Sequence, residues 1–258
     1  MDYPGLDLTG KSAVVIGGTS GIGRAIALGL AQAGADVAAV GRRQNELIAT
    51  TEKIQAIGRK SFVCPVNVDE RASVEALFRT ALVEFGQVDI LVNSAGQIKR
   101  ESTLDANEDD WKSIFNTNLF GVLRACQIFG RHMLERGYGR IINMTSLNAF
   151  VALHEVASYA ASKAAVQSLT RSLAIEWANS GICVNAIAPG VIPTSLNAGL
   201  LRGSGRGQEL LMRTPMKKFG NAEDIVGAAI LLASDSAAYM TGSVVTVDGG
   251  FLASGVNQ

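Results

Sequence analysis

Short, almost uninterrupted apolar runs alternate along the chain with longer stretches whose apolar residues recur every three or four positions. "SAVVIG" (12–17), "DVAAV" (36–40), "SFVCPV" (61–66), "VDILVN" (88–93), "RIINMT" (140–145), "ICVNAIA" (182–188) and "SVVTVD" (243–248) have strand length. Their near-continuous hydrophobicity predicts strands buried on both faces. Between them, stretches such as "GRAIALGLAQAG" and "SVEALFRTALVEFG" carry helical spacing and stop at glycine. Strand, helix, strand repeated in this way predicts an α/β class: a doubly wound Rossmann fold, one domain over residues 1–258, with a seven-stranded, mainly parallel sheet.

One segment breaks the alternation. Between Pro189 and Gly220 lie three of the five prolines and a Gly-Ser-Gly cluster. Excursions of that length are more often functional than filler, so a substrate lid is expected at about 189–219.

The composition narrows the partners. With 48% hydrophobic residues in 258, the chain can bury a full core. Its 23 basic and 23 acidic residues cancel, which leaves no basic field for nucleic acid or anionic lipid and makes a small molecule the default partner. Cys64, Cys126 and Cys183 are odd in number and widely spaced, which suits a reducing compartment. Two histidines, His132 and His154, are too few for a His-rich metal site, and no metal is expected. The opening "MDYPGLDLTGK" lacks the plan of a signal peptide, and no apolar run reaches the ~18 residues a bilayer span needs. A cytoplasmic location without membrane contact is expected.

"GGTSGIG" follows the first predicted strand and opens the first long helix. In that context Gly17, Gly21 and Gly23 suit a tight turn, close approach of backbone to a pyrophosphate, and close helix packing. The end of the second strand bears on which dinucleotide binds. An NAD enzyme usually places an acid there, about 20 residues beyond the glycines. This chain has Gly41 at that place, followed by Arg42 and Arg43. Guanidinium groups can grip a 2′-phosphate, so NADP(H) is the expected cofactor, with NAD(H) possible.

"GGTSGIG", "NSAG", "MTS", "YAASK" and "APGVIPT", in this order and across almost the whole chain, resemble the short-chain dehydrogenase/reductase family. The resemblance implies a catalytic tetrad of Asn118, Ser146, Tyr159 and Lys163, with Ser146 thirteen residues before the tyrosine. It implies cofactor contacts from Gly17, Ser20, Gly21, Ile22 and Gly23 in the phosphate turn and from Asn67 and Val68 near adenine. Asn93, Ala95 and Gly96 would lie beside a ribose, and Pro189, Gly190, Ile192 and Thr194 toward the nicotinamide. It also implies a homotetramer built through helices near residues 110–130 and 158–178.

Three positions depart from the family pattern. Ile16 stands where Thr is usual, which removes a hydrogen bond toward the "NSAG" strand. Asn67 replaces an Asp that faces adenine. Ser94 replaces a second Asn.

Interconverting an alcohol and a ketone requires a hydride carrier and a group that moves one proton. A free tyrosine, with pKa about 10, is too weak a base near neutrality. A lysine ammonium one helical turn away is placed to lower that value, which is the expectation for Tyr159 and Lys163. By resemblance, Lys163 also bonds the nicotinamide ribose and Asn118 anchors a water behind it. Ser146 would hold the substrate oxygen.

The run "AGQIKR" and the ending "VDGGFLASGVN" resemble the sugar-acid branch, the gluconate and deoxygluconate dehydrogenases. A carboxylate substrate would give Arg100, or Arg202, Arg206 and Arg213 on the lid, a partner. Asn148 and His154 are further pocket candidates. A 3-oxoacyl-(acyl-carrier-protein) reductase shares the same tetrad and stays open, as does a non-catalytic dinucleotide sensor.

Overall fold

Parity sorts the apolar runs into two layers. A computed structural model of the protein describes residues 4–194, 201 and 204–255. Within them β1 (Ser12–Ile16), β2 (Asp36–Val40), β3 (Ile90–Asn93), β4 (Gly139–Met144), β5 (Ile182–Pro189) and β6 (Val244–Val247) form one sheet in the order β2-β1-β3-β4-β5-β6. Every adjacent pair is parallel. Helices α1 (Gly21–Gln32), α2 (Gln44–Ala56), α3 (Arg71–Phe85) and α4 (Glu108–Phe115) lie in the first half of the chain. The second half adds α5 (Gly121–Arg136), α6 (Ala157–Trp177), α7 (Gly205–Arg213) and α8 (Val226–Ala233).

Successive strand residues point to opposite faces. Ala13, Val15, Val37, Ala39 and Val92 meet α1 and α8 in one layer. Val14, Ile16, Ala38, Val40 and Leu91 meet α3, α5 and α6 in the other. Both faces are therefore largely apolar, as parallel strands between helices require. Leu77 and Phe129 are wholly buried in the second layer. Each such side chain contributes roughly 1.5–3 kcal/mol through burial.

The sheet has six strands among the described residues, not seven. The run 61–66 lies along β2 but makes only a single bridge, Gly41 to Pro65. Val37 N–H donates to the Lys60 carbonyl at 3.0 Å, and Val66 N–H to the Gly41 carbonyl at 3.1 Å. Pro65 has no N–H, so a continuous ladder at this edge is interrupted.

The strand order reverses between β2-β1 and β3-β4, and the loops leaving β1 and β3 part there. In doubly wound sheets such a switch point opens a crevice at the carboxyl ends of the strands. The expected lid begins as β5 ends, and α7 packs Leu210 against Leu147, Leu201 and Phe251. Residues 195–200, 202 and 203, and with them Arg202, lie outside the described residues. No helix among the described residues is long and apolar enough to cross a membrane.

Candidate active site

A cleft of about 450 Å³ lies at the carboxyl ends of the strands, walled by the loops after β1, β2, β3, β4 and β5. Its floor is shaped by glycines. Gly17 has φ +80°, and a Cβ there would lie 2.5 Å from the Ala95 nitrogen. A Cβ on Gly23 would lie 2.1 Å from the Gly17 carbonyl oxygen. Only hydrogen fits at either place.

Ser20 is the N-cap of α1 but makes no side-chain capping bond. Its hydroxyl and the first N–H groups of a twelve-residue helix therefore face the cleft, where the helix dipole favours an anion. These residues fit the pyrophosphate of a dinucleotide.

At the end of β2, Gly41 closes off the alternative chemistry. A Cβ at that position would lie 2.9 Å from Thr19 Oγ1, so no carboxylate side chain fits without displacing Thr19. Arg42 and Arg43 are exposed beside the cleft and form no ion pair among the described residues. The other cofactor candidates Ile22, Asn67, Val68, Ala95, Gly96, Pro189, Gly190, Ile192 and Thr194 all line the same cleft. The Asn67 amide donates to Glu70 Oε1 at 2.8 Å and its oxygen accepts from Asp69 N–H at 3.2 Å.

Asn93 is turned the other way. It pairs in register with Asn143 on β4, and its Nδ2 donates to Asn143 Oδ1 at 2.8 Å. Asn143 in turn donates to Thr170 Oγ1 at 3.0 Å on α6. The Asn93 side chain thus satisfies buried polar groups under the sheet, because its parity on β3 points it into the helical layer. The replacement of Thr by Ile16 leaves a main-chain bond in place, since Ser94 N–H donates to the Ile16 carbonyl at 2.8 Å.

Ser146, Tyr159 and Lys163 converge on the cleft. Ser146 ends the loop after β4. Its hydroxyl accepts from Asn148 N–H at 3.2 Å and faces the same cleft as the Tyr159 phenol. Lys163 is buried and its ammonium donates to the Met144 carbonyl at 2.8 Å. Burial pulls its pKa down to about 8. Its nitrogen stands 5.7 Å from the centre of the Tyr159 ring.

The expected lowering of the phenol is absent. Burial drives the Tyr159 pKa above its ordinary value, and the Ser146 hydroxyl offsets this only in part. The ammonium is tied to a strand carbonyl, so the proximity implied by four-residue spacing does not become a contact with the phenol oxygen.

Asn118 sits behind the cleft wall, wholly buried, in a π-helical turn (Asn116–Phe120) between α4 and α5. Single π turns inside helices recur at functional sites. Its Oδ1 accepts from Gln97 N–H at 2.8 Å, while Nδ2 donates to the Gln97 carbonyl at 2.9 Å and to Ser162 Oγ at 3.0 Å. Both amide hydrogens are committed, so the side chain has no donor left for a water. It staples the loop after β3 to α6.

The substrate candidates divide. Asn148 is buried beside Ser146, its Oδ1 accepting from that hydroxyl at 3.4 Å. Arg100 is held by Glu155 and does not line the cleft. His154 is exposed, 3.6 Å from the same carboxylate, and also lies off the cleft. Arg206 donates to the His154 carbonyl at 3.0 Å, and Arg213 pairs with Glu209 at 3.6 Å. Gln97 and Thr117 are among the cleft residues missed from sequence, and both join the Asn118 staple. Gln97 follows "NSAG" directly, a polar residue among the loop's small ones, and that was the available signal. No cluster of three or more His, Cys, Asp or Glu able to hold a metal exists among the described residues.

The chain matches known proteins along nearly its whole length. A family model described as enoyl-(acyl carrier protein) reductase matches residues 17–252. The 2-dehydro-3-deoxy-D-gluconate 5-dehydrogenase of Bacillus subtilis (strain 168) is 42% identical over 97% of this chain and 98% of its own. A 3-oxoacyl-(acyl-carrier-protein) reductase of Staphylococcus epidermidis is 38% identical over 93% of this chain and 98% of its own. The crystal structure of a gluconate 5-dehydrogenase from Burkholderia cenocepacia J2315, in complex with NADP and tartrate, superposes with TM-score 0.93. It is 35% identical and covers 97% of this chain and 98% of that one.

Proposed function

Because the chain belongs to the short-chain dehydrogenase/reductase family, we propose that it interconverts a secondary hydroxyl and a ketone on a sugar acid, with NADP as the preferred cofactor. It is an oxidoreductase with a nicotinamide dinucleotide site, which sets the sensor alternative aside. The observation that carries the reading is the convergence of Ser146, Tyr159 and Lys163 on the glycine-floored cleft.

NADP, when bound, supplies the hydride acceptor. The pyrophosphate belongs against the free N–H groups of α1, and the 2′-phosphate against Arg42 and Arg43, which are exposed beside the cleft. Ser146 holds the substrate oxygen. Tyr159 carries the proton between that oxygen and the site, and its raised pKa leaves it protonated near neutrality, ready to donate to a ketone. Lys163 supplies the positive charge behind it. In the oxidative direction Tyr159 takes the proton from the substrate hydroxyl.

A panel of sugar acids, their keto forms and a 3-oxoacyl thioester, assayed with NADP(H) and NAD(H), tests the substrate class. Fastest turnover of a hexonate or its keto form supports it. Faster reduction of the thioester than of every keto acid moves the assignment to the carrier-protein reductase.

We also assign a homotetramer in the cytoplasm. All three cysteines are free, in keeping with a reducing compartment. Ile175 on α6 is 82% exposed and Phe120 at the start of α5 is 47% exposed, apolar surface suited to subunit contacts. Sedimentation of the native protein as a monomer would remove the tetramer.

A further inference from the structure

Gln97 is the residue on which the cleft wall and the buried tetrad member meet. Its main-chain N–H and C=O bond the Asn118 amide on both sides, so they dictate which way that amide faces. Its side chain is anchored separately. Nε2 donates to Ser113 Oγ on α4 at 2.9 Å and to Thr117 Oγ1 in the π turn at 3.2 Å. Thr117 Oγ1 then donates to Asp69 Oδ1 at 2.7 Å, which leaves that hydroxyl oriented to accept from Gln97.

The consequence reaches Lys163 through the preceding residue. A Cβ on Gly96 would lie 3.3 Å from Asn118 Oδ1 and 3.6 Å from the Lys163 nitrogen. The loop therefore forms a wall beside the ammonium, and a small displacement changes both its room and the Asn118 staple. A loop main chain with two bonds to one amide can still pivot about that amide. Side-chain bonds to two further hydroxyls on the neighbouring helical segment remove the pivot.

We propose that Gln97 is a positioning residue: pinned through its side chain to Ser113 and Thr117, it holds the loop after β3 so that Asn118 and Lys163 keep their working geometry. This rests on the oxidoreductase reading of the tetrad, and one of its tests does not.

Gln97→Met keeps length and removes the donors. In the cofactor-free protein, hydrogen exchange of amides 94–99 should accelerate about tenfold, while exchange in β3 itself stays unchanged. Equal protection in wild type and variant overturns the proposal whatever the substrate proves to be. In turnover, Gln97→Met should lower kcat about tenfold with KM for substrate and NADP within about threefold. In an Asn118→Ala background the same change should cost no more than about threefold. Additive losses, or a loss confined to substrate KM, would show that Gln97 touches substrate and does not act through Asn118.

Thr117 supplies a check independent of that cycle. Thr117→Val removes the hydroxyl and should lower kcat, whereas Thr117→Ser keeps it and should restore most of the activity. Equal activity in the two variants overturns the anchoring role. Wild-type protein inactive on the whole panel would instead fail the functional reading, and the exchange experiment would still decide the loop.

Discussion

Lys163 lies one helical turn beyond Tyr159, yet its ammonium bonds the Met144 carbonyl at 2.8 Å and stands 5.7 Å from the centre of the tyrosine ring. The four-residue spacing therefore brings the two side chains near each other without a hydrogen bond between them. Burial holds the phenol pKa above its ordinary value.

Tyr159→Phe removes the proton carrier and leaves the ring. Turnover should fall by at least about a thousandfold, within the range for loss of a general acid or base, while NADP affinity by fluorescence titration stays within a few fold. Substantial turnover by the variant would sink the acid/base assignment.

Lys163 has a definite pH signature. Its pKa falls from 10.5 to about 8 in the folded protein, so between those values the unfolded chain binds the extra proton. Stability must rise with pH across that window, by about 3 kcal/mol at most. Denaturant unfolding of wild type against Lys163→Met should show wild type gaining relative to the variant from about pH 8 upward. A relative loss over the same range would contradict the buried-ammonium picture.

Arg42→Asp reverses the charge beside the expected 2′-phosphate. The efficiency ratio kcat/KM for NADP over NAD should drop at least about tenfold, as loss of a charge-assisted pair implies. Gly41→Asp should not produce the same switch, because its Cβ meets Thr19 first, and reduced stability is expected instead. An unchanged ratio in Arg42→Asp would refute the specificity argument.

Gly23→Ala places a methyl 2.1 Å from the Gly17 oxygen. Overpacking of this kind costs about 1–3 kcal/mol, and here it lands on the phosphate turn. Weaker NADP binding should accompany a lower thermal midpoint. Wild-type cofactor affinity in a folded Gly23→Ala protein would mean that the turn does not hold the pyrophosphate.

Much of the fold was legible from residue order because parallel strands buried on both faces leave continuous apolar runs, and the segments around Val14, Val37, Leu91, Ile141 and Val184 all became strands. The run holding Pro65 misled, since its composition resembles a strand while its missing N–H limits pairing. Most cofactor candidates named from local motifs line one cleft for a similar reason: glycine spacing and helix starts are properties of neighbouring residues.

What the sequence by itself determined was the strand and helix alternation and the glycine-lined turn, while the tetrad was implied by a family resemblance. Tertiary structure alone decided where the side chains point. Strand parity sent Asn93 beneath the sheet, a salt bridge drew Arg100 to Glu155, and a strand carbonyl took the Lys163 ammonium. Only folding brought Gln97 to Asn118, twenty-one positions away, because hydrogen-bond partners across a loop and a helix are set by packing and leave no mark in local spacing.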